Sequence, residues 1–376
     1  MFGISAVIIV VFHTVMGRVD SFGRMISFTP RHSITSRRPP LSWMLKATSV
    51  TLNDSASDIK IKKPSIFTRI RNSWTSQERT REELKIGIAG FYDRSSKLWE
   101  EVWGEHMHHG YYIPENRTDH VQAQIDLIDQ VLSWSGVGVD LGLDAQAQAQ
   151  VHVPKNMVDV GCGIGGSSRH IAKKFGCTAQ GITLSPYQAQ RGNQLAKEQG
   201  LDHLCQFQVA DALDMPFQDN TFDLTWSLES GEHMPDKDKF VQELFRVTSP
   251  GGRIIIVTWC HRDLHVGETS LTKREERLLA RINRAYYLPR WCSVDDYVQL
   301  MKKNGATNIQ REDWSYIIAP FWKAVISSCF NFKSIVGLLK SGFSTQRGAY
   351  AMFLMLQGFN RGLIKFGLIT CTKPML

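Results

Sequence analysis

The sequence predicts an α/β fold: a doubly wound, mostly parallel sheet with an antiparallel last strand, N-terminal helices and a C-terminal helical lid insertion. The first observation is an alternation of strand and helix patterns, which is typical of parallel sheets with crossover helices on both faces. The five apolar stretches expected as strands are 157–160, 179–183, 205–210, 222–227 and 253–259. The second observation is a glycine loop at 161–166, which joins the first strand to a helix and indicates a ligand site at the sheet edge.

The chain has 376 residues, of which 43% are hydrophobic and 21% are charged. This length allows about two domains, and the composition excludes a disordered, collagen-like or polytopic membrane protein. We expect three regions along the chain. They are a targeting segment at 1–80, an N-terminal helical cap and linker at 81–150, and the main domain at 151–376 with a lid insertion near 261–360.

The net charge of +8 comes from the first 80 residues, which hold 12 Lys and Arg against 4 Asp and Glu. The rest of the chain carries 32 of each sign, which argues against a nucleic-acid partner. Residues 1–63 contain 14 Ser and Thr but only 3 acids, a composition typical of a cleaved plastid or mitochondrial transit peptide. The short apolar run at 4–12 resembles a secretory signal, which suits a plastid reached in two steps. One-step targeting and an unstructured tail are the alternatives.

The seven cysteines are scattered, odd in number and form no CxxC pair. This pattern argues against a disulfide framework or a zinc knuckle and favours a reducing compartment. The histidine-rich stretch at 106–109 has no acid or cysteine partner at ligand spacing, so no metal site is expected there.

Two helices are expected ahead of the sheet, at 82–103 and 119–134, because apolar residues in the second recur at helical spacing. The stretch 135–150, rich in Gly, Ala and Gln, indicates a linker. Inside the sheet region, Ser185 followed by Pro186 predicts the start of a helix.

The turn at 250–252, Pro-Gly-Gly, is expected to feed the fifth strand. Beyond that strand, helices are expected at 273–285 and 293–304. The last two strands are expected at 307–314 and 364–372, with an apolar insertion between them.

The glycine loop also satisfies GxGxxG, so a nicotinamide or flavin dinucleotide is one alternative ligand. A dinucleotide site needs an acid at the end of the second strand, where this chain has Gly-Ile-Thr-Leu-Ser at 181–185. Asp159 before the loop, Asp211 after the third strand and the turn at 250–252 instead fit an S-adenosylmethionine site. The pattern therefore predicts a class I methyltransferase, with dinucleotide binding and a purely structural glycine turn as alternatives.

Longer strings carry a family resemblance over residues 84–374. They are 92–96 with Trp99, 103–110, 157–172, 181–185, 229–237, 288–293, 319–322 and 364–371. The most distinctive is Glu-Ser-Gly-Glu-His-Met-Pro-Asp-Lys at 229–237. These strings resemble the gamma-tocopherol methyltransferase family, which also contains plant alkaloid N-methyltransferases. The linker at 135–150 departs from the family pattern because it is longer and richer in Ala and Gln.

The resemblance implies transfer of a methyl group from S-adenosylmethionine to a ring carbon of a prenylated chromanol, ortho to its phenolic hydroxyl. Gamma- and delta-tocopherol would become alpha- and beta-tocopherol, in a plastid. Such a reaction needs aligned reactants, a pocket with little water and removal of the phenol proton. No obligate protein partner is expected. The alternatives are an N-methyltransferase of a hydrophobic amine, another prenylquinol methyltransferase, and a non-catalytic prenyl-lipid carrier.

The expected cofactor-binding residues follow the ends of the first three strands, together with one aromatic residue of the N-terminal cap. They are Tyr92, Asp159, Gly161, Gly163, Gly165, Thr183, Leu184, Asp211 and Ala212. Thr183 stands where an acid usually binds the ribose. Asp159 has an alternative role as a cap on the glycine loop, and Asp211 has one as a helix cap. Tyr92, Trp99 and Trp103 are expected to close over the sulfonium cation, with ordinary helix packing as the alternative.

The expected catalytic residues follow the fourth strand, because the carboxyl ends of parallel strands face the ligand crevice. His233 is the preferred base, with Glu229 or Glu232 orienting it or contacting the substrate. A surface pair of acids beside a structural histidine is the alternative. His108 or His109, from the histidine-rich stretch, is the second candidate for the base.

The segment 314–359 has long apolar stretches interrupted by Lys and Arg, and none of them is long enough to span a bilayer. Apolar faces with basic residues suit a lid that also rests on a membrane surface, where a prenylated substrate would reside. Buried core is the competing interpretation.

Overall fold

The computed structural model describes residues 79–113, 115, 119–138, 152–329 and 342–375 of the chain. Except for its last two residues, the predicted targeting segment at 1–80 lies outside the described residues, and so does most of the linker at 135–150. The described residues all belong to one unit, Arg69–Leu376.

The described strands form one seven-stranded sheet. They are β1 (Asn156–Val160), β2 (Thr178–Thr183), β3 (Cys205–Val209), β4 (Phe222–Leu228), β5 (Thr248–His261), β6 (Thr307–Asp313) and β7 (Ile364–Thr372). Their spatial order is β3-β2-β1-β4-β5-β7-β6. Strands β1 to β5 pair in parallel, whereas β7 runs antiparallel between β5 and β6. The predicted fold class is confirmed.

Helices cover both faces of this sheet. They are α1 (Arg81–Trp103), α2 (His120–Trp134), α3 (Gly166–Phe175), α4 (Pro186–Glu198), α5 (Lys237–Val247), α6 (Lys273–Tyr286), α7 (Val294–Lys303), α8 (Ser315–Cys329) and α9 (Gly342–Asn360). Ser185 caps α4 by accepting a hydrogen bond from the backbone of Gln188, with Pro186 in the first turn, as predicted. Ser293 caps α7 in the same way, within a capping box that includes Asp296.

Strand β5 begins five residues before its predicted start at 253, at Thr248. The Pro-Gly-Gly stretch expected as a turn lies inside the strand. Gly251 has a φ of 76°, and the pairing with β4 shifts register between Phe222 and Leu224. The stretch is therefore an irregularity within β5, because glycine lets the backbone deviate without ending the strand.

Alternate residues of the central strands fill two separate apolar layers. In β5, Ile255 and Val257 face one layer, whereas Ile254 and Ile256 face the other, and all four are fully buried. Two-sided burial explains why these strands read as continuous apolar runs. The strand order reverses between β1 and β4, and this reversal places a ligand crevice at the carboxyl ends of those two strands.

The predicted apolar insertion forms α8 and α9. Part of this insertion contributes to the core, where Ile318 and Leu354 are fully buried, whereas Tyr316 is exposed. Nowhere in the described ranges is a helix both long enough and apolar enough to cross a membrane.

Candidate active site

The glycine loop between β1 and α3 turns through three left-handed glycines. The φ angles of Gly161, Gly163 and Gly165 are 85°, 55° and 80°, in a region that residues with a Cβ rarely adopt. A Cβ on Gly161 would collide with the side chain of Ser230, and one on Gly165 would collide with the ring of Phe207. The loop backbone therefore packs directly against the segment that follows β4.

Asp159, the acid before the loop, is buried within the protein. Its Oδ2 accepts a hydrogen bond of 2.7 Å from Ser168 Oγ, in the first turn of α3. Burial raises the pKa of this carboxyl to about 7, although the Ser168 hydrogen bonds oppose the shift. This bond corresponds to the loop-capping alternative, and direct contact of Asp159 with a cofactor stays a prediction.

A small cleft opens beside the loop at the carboxyl ends of the strands. Its lining includes five of the predicted cofactor-binding residues and the predicted base. These six residues are Gly161, Thr183, Leu184, Asp211, Ala212 and His233. The tertiary fold thus brings together residues from four separate strand ends. Gly163, Gly165, Asp159 and Tyr92 are not among the residues that line the cleft.

Helix α1 closes one side of this cleft through two cations. Asp211 Oδ2 lies 2.6 Å from Arg81 Nη2 and 3.2 Å from Lys85 Nζ. Burial alone would raise the pKa of Asp211, but hydrogen bonds from the Leu213 backbone, Arg81 and Lys85 outweigh it and lower that pKa. Asp211 is therefore an ionised carboxylate that ties α1 to the end of β3.

The hydroxyl of Thr183 is already engaged inside the protein. Its Oγ1 donates to Gln188 Oε1 at 2.7 Å and accepts from the backbone N–H of Ser185 at 3.2 Å. Gln188 Nε2 in turn donates to Ser96 Oγ of α1 at 3.0 Å. Thr183 lines the cleft, but its hydroxyl joins β2, α4 and α1, so ribose binding by that hydroxyl stays a prediction.

His233 lies in a 3₁₀ turn, Gly231–His233, that follows β4. Its Nε2 is 3.0 Å from the hydroxyl of Tyr92, and its Nδ1 is buried without a partner. Burial, together with the nearby Lys237, lowers the pKa of His233 to about 4. The ring is therefore neutral near pH 7 and a weak proton acceptor, while Tyr92 is positioned beside it rather than over the cleft.

Glu229 directly follows β4 and binds the histidine-rich stretch. Its Oε1 accepts from the backbone N–H of His109 at 2.6 Å, and its Oε2 lies 2.7 Å from His109 Nδ1. Trp259 Nε1, at the end of β5, donates to the same Oε2 at 3.2 Å. Burial would raise the pKa of Glu229, but the neighbouring His109 and its hydrogen bonds lower it. The predicted site acid is therefore paired with His109, whereas His233 was its expected partner.

Glu232 points toward β5. Its Oε2 accepts a 2.7 Å hydrogen bond from Thr258 Oγ1. Burial, together with the charge of Glu229, raises the pKa of this carboxyl to about 7. The Nζ of Lys237 donates to the carbonyls of Gly231, Glu232 and Met234 at 2.7–3.1 Å and so holds the turn that carries both Glu232 and His233.

The three histidines of the 106–109 stretch have different environments. His109 is bound by Glu229, whereas His108 Nδ1 is 2.8 Å from the carbonyl of His109. Burial lowers the pKa of His108, and burial also lowers the pKa of His106 to about 3. Among the described residues, no group of His, Cys, Asp and Glu could hold a metal ion.

Two functional positions were missing from the prediction, although the sequence holds a signal for each. Arg81 and Lys85 are four residues apart, which places both on one face of a helix. Trp259 is at the carboxyl end of a parallel strand, where side chains face the crevice. Of the predicted rings, Trp99 is partly buried against the core, and the side chain of Trp103 lies outside the described residues.

The residues around the cleft fit S-adenosylmethionine. Gly161 of the glycine loop lines the cleft and has no side chain that would narrow it. Leu184, Ile182 and Leu213 supply apolar walls suited to an adenine ring, and Asp211 supplies an ionised carboxylate for its hydrogen-bond donors or those of the ribose.

Comparison with known proteins identifies the family of this chain. A family model described as "Methyltransferase domain" matches residues 158–256. The chloroplastic tocopherol O-methyltransferase of Arabidopsis thaliana is 53% identical over 299 residues, covering 78% of this chain and 84% of that protein. The ajmaline N-methyltransferase of Rauvolfia serpentina is 37% identical over 298 residues, covering 77% of this chain and 99% of that protein.

Among solved structures, geranyl diphosphate C-methyltransferase from Streptomyces coelicolor, crystallised with S-adenosyl-L-homocysteine, superposes with a TM-score of 0.59. It is 20% identical and covers 77% of this chain and 97% of that one, so this match shows the fold alone. The two plant relatives show the family, because this chain is 53% and 37% identical to them over most of their length. The chain therefore belongs to the tocopherol O-methyltransferase family and is an S-adenosylmethionine-dependent class I methyltransferase.

Proposed function

We propose that this enzyme methylates a ring carbon of a prenylated chromanol and converts gamma- and delta-tocopherol to alpha- and beta-tocopherol. The observation that carries the proposal is that the segment holding Glu229, the acid of a buried acid–imidazole pair, packs against the glycine loop of the cofactor cleft. Gly161 lines the cleft and packs on Ser230, the residue after Glu229. The relative from Arabidopsis, with tocopherol in its name, supports the substrate class.

The chemistry fits a phenolic substrate. When bound, S-adenosylmethionine supplies an electrophilic methyl group. The protein has to exclude water, align the acceptor and accept the phenol proton, because the phenolate makes its ortho carbon electron-rich. The aromatic residues around Glu229, including Trp259, provide an apolar wall for a chromanol ring.

The test is incubation of the enzyme with labelled S-adenosylmethionine and beta-, gamma- or delta-tocopherol, followed by chromatography and NMR of the products. We expect gamma-tocopherol to yield alpha-tocopherol with a new methyl group on carbon. A product methylated on the phenolic oxygen would support a chromanol substrate but contradict methylation of a ring carbon. Absence of any chromanol product would overturn the proposal.

Methylation of a hydrophobic amine is the second candidate function. The relative from Rauvolfia, 37% identical to this chain, favours it. An indole-alkaloid amine offered in the same assay separates the two candidates. Methylation of the amine in preference to every chromanol would favour this second function.

The proposed cofactor-binding set is Gly161, Leu184, Asp211 and Ala212 in the cleft, with Gly163, Gly165 and Asp159 shaping the loop. Thr183 and Tyr92 support this set through their contacts with Gln188 and His233. Asp211→Asn tests the set, because it removes the carboxylate that faces the cleft. Calorimetry should show weaker S-adenosylmethionine binding by this variant than by the unaltered enzyme.

The proposed location is the plastid, with residues 1–80 as a cleaved targeting segment, 81–150 as a helical cap and linker, and 151–376 as the methyltransferase domain. The composition of residues 1–63 and the word chloroplastic in the name of the Arabidopsis relative support this location. Residues 1–80 fused to a fluorescent protein should enter plastids and be removed there. Retention of the fusion in the cytosol would contradict the assignment.

The lid region at 261–360 is proposed to rest on a membrane surface while a prenylated substrate enters. Its basic residues between apolar stretches support this contact. The enzyme should co-sediment with vesicles of anionic plastid-type lipids and be released by salt. Equal recovery in the supernatant with and without vesicles would contradict surface binding.

A further inference from the structure

We propose that His109, oriented by Glu229, is the base that accepts the phenol proton of the acceptor. This inference rests on the proposed chromanol substrate and assigns the proton acceptor to a residue outside the cofactor cleft. It replaces His233 in that role.

Geometry at His109 sets the tautomer of its ring. Glu229 Oε2 can only accept a hydrogen bond when ionised, so His109 Nδ1–H donates to it across 2.7 Å. The Nε2 atom therefore carries the lone pair, and it is buried without any hydrogen-bond partner among the described residues. A carboxylate bound to the opposite nitrogen also stabilises the imidazolium that forms when Nε2 takes up a proton.

The surroundings of His109 suit an aromatic acceptor. Its ring centroid lies 4.0 Å from that of Phe321, 4.9 Å from Trp259, 5.8 Å from Trp322 and 6.0 Å from Phe366. Such distances are those of stacked and edge-to-face aromatic pairs, which a chromanol ring can also form. The ring of Phe321 thus occupies the position against His109 that a chromanol would take.

Helix α8 carries both Phe321 and Trp322 and has Pro320 inside it. A proline in a helix removes one backbone hydrogen bond and weakens the helix at that point. The part of α8 that carries Phe321 can therefore move away from His109 more easily than the residues of β5 and β7, because those strands are held by the sheet. Once the chromanol ring has taken the place of the Phe321 ring, it fills the same space and keeps water out of the site.

The other histidines near the site are less suited to the same role. The Nε2 of His233 already lies 3.0 Å from the Tyr92 hydroxyl, and Lys237 is a nearby positive charge. His108 Nδ1 donates to a neutral carbonyl, that of His109, which stabilises an imidazolium less than a carboxylate does. Of the candidate bases, only His109 forms a pair with an acid that the structure describes.

In the proposed reaction, His109 holds the phenol proton while the methyl group is transferred. The phenol proton moves to Nε2 of His109, and the ortho carbon forms a bond to the methyl carbon while the sulfur–methyl bond breaks with its electron pair on sulfur. The ring carbon then releases its hydrogen as a proton, which passes to solvent when the site opens, and His109 returns its proton to the oxygen. The products are the methylated phenol, S-adenosylhomocysteine and one released proton.

The main test is His109→Asn in the full chain, assayed with gamma-tocopherol at pH 7.5. We expect kcat to fall about 100-fold or more, because general-base catalysis contributes about that much. The Kd for S-adenosylmethionine, measured by calorimetry, should stay within about threefold. His170→Asn is the matched control, because His170 binds Asp129 away from the site, and its kcat should stay near that of the unaltered enzyme.

A second readout needs no turnover. A bound chromanol absorbs differently as phenol and as phenolate, so its ionisation can be titrated without the methyl donor. The pH midpoint should lie at least one unit lower with the unaltered enzyme than with His109→Asn. Glu229→Gln, which keeps the shape of the side chain, should also lower kcat, because a neutral amide stabilises the positive charge that forms on His109 less than a carboxylate does.

Retention of more than a third of kcat by a folded His109→Asn enzyme would overturn the assignment. Loss of the phenolate signal in His233→Asn or His108→Asn but not in His109→Asn would also overturn it. His109→Gln provides a second variant if His109→Asn does not fold. An unaltered enzyme that methylates only amines would instead refute the chromanol substrate, so the two failures are distinguishable.

Discussion

Glu229 is held in a backbone conformation that its residue type disfavours. Its φ is 52°, in the left-handed region where residues with a Cβ are uncommon. Its backbone N–H donates to Val257 at 2.7 Å, and its carboxylate binds His109 and Trp259. These bonds fix the residue from both ends, which is how strained residues persist at functional sites. This backbone conformation holds the Glu229 carboxylate against His109, at the turn that follows β4.

At the same scale, Gly161→Ala should damage both stability and cofactor binding. The alanine Cβ would collide with Ser230, in addition to the cost of a positive φ. We expect a loss of about 2–5 kcal/mol in the free energy of unfolding and at least a tenfold rise in the Kd for S-adenosylmethionine, measured by urea denaturation and calorimetry.

Gly176→Ala is the matched control for that variant. Gly176 has a φ of 68°, but a Cβ there meets nothing within 4 Å. It should lose about 1–2 kcal/mol from the backbone alone and bind the cofactor normally. Equal cofactor affinity in the two variants would show that close approach at Gly161 has no role in binding.

At the scale of elements, helix α1 functions as the wall of the cofactor cleft. Besides the ion pairs with Asp211, Asp93 accepts a short hydrogen bond from Ser185 Oγ, the cap of α4. Further along, Glu100 pairs with Arg191 of α4 at 2.6 Å. The helix is therefore attached along its length to the β3 end and to α4, and a cofactor must pass it to reach the cleft.

The double variant Arg81→Met, Lys85→Met should loosen the start of α1. Each half-exposed ion pair contributes about 0.2–1 kcal/mol, so we expect cofactor dissociation to become about 2–10-fold faster. Hydrogen exchange at the start of α1 should accelerate by a similar factor. Stopped-flow and exchange mass spectrometry provide the two measurements.

Lys303→Met is the matched control for α1, because Lys303 pairs with Asp238 at a similar distance of 2.6 Å between α7 and α5. It removes an exposed ion pair without touching the cleft. The same acceleration of cofactor release in this variant would mean that the effect is general destabilisation, and the proposed role of α1 would be refuted.

For the whole molecule, buried titratable groups predict that the free energy of unfolding depends on pH between about 5 and 7. Burial raises the pKa of Asp159 and Glu232 to about 7, above roughly 4 in an unfolded chain. Between these values the native state binds more protons than the unfolded state, so stability falls as pH rises toward 7.

Buried histidines act in the opposite direction. Burial lowers the pKa of five of them below about 6.5, their unfolded value, so the unfolded state binds more protons and stability rises with pH up to that value. They are His106, His108, His120, His152 and His233. Because the histidines outnumber the two carboxyls, the free energy of unfolding should rise up to about pH 7 and level off above it.

Urea denaturation between pH 5 and 8 provides the measurement of this curve. The double variant Asp159→Asn, Glu232→Gln should show a steeper rise between about pH 5 and 7, because these carboxyls no longer oppose the histidines. An unchanged slope in the double variant would show that other groups set it.

The sequence by itself determined the sheet, the cofactor loop and the family. Burial on both faces of the sheet produces apolar strand runs, glycines mark the positive φ angles of the loop, and Ser185 marks the start of a helix. These are local patterns, so the sequence alone is enough to predict them. Gly161, Thr183, Leu184, Asp211 and Ala212 could be assigned to one cleft because the ends of parallel strands meet at one edge.

Only the tertiary structure decided which side chains pair inside the site. Glu229 and His109 are 120 residues apart, and their hydrogen bond depends on how the segment after α1 folds back over β4. The sequence placed Glu229 next to His233, since they are neighbours in the chain, but the turn directs His233 toward Tyr92 and Glu232 toward Thr258. Short-range patterns specify elements because backbone hydrogen bonds are local, whereas side-chain partners in a buried site depend on packing between distant segments.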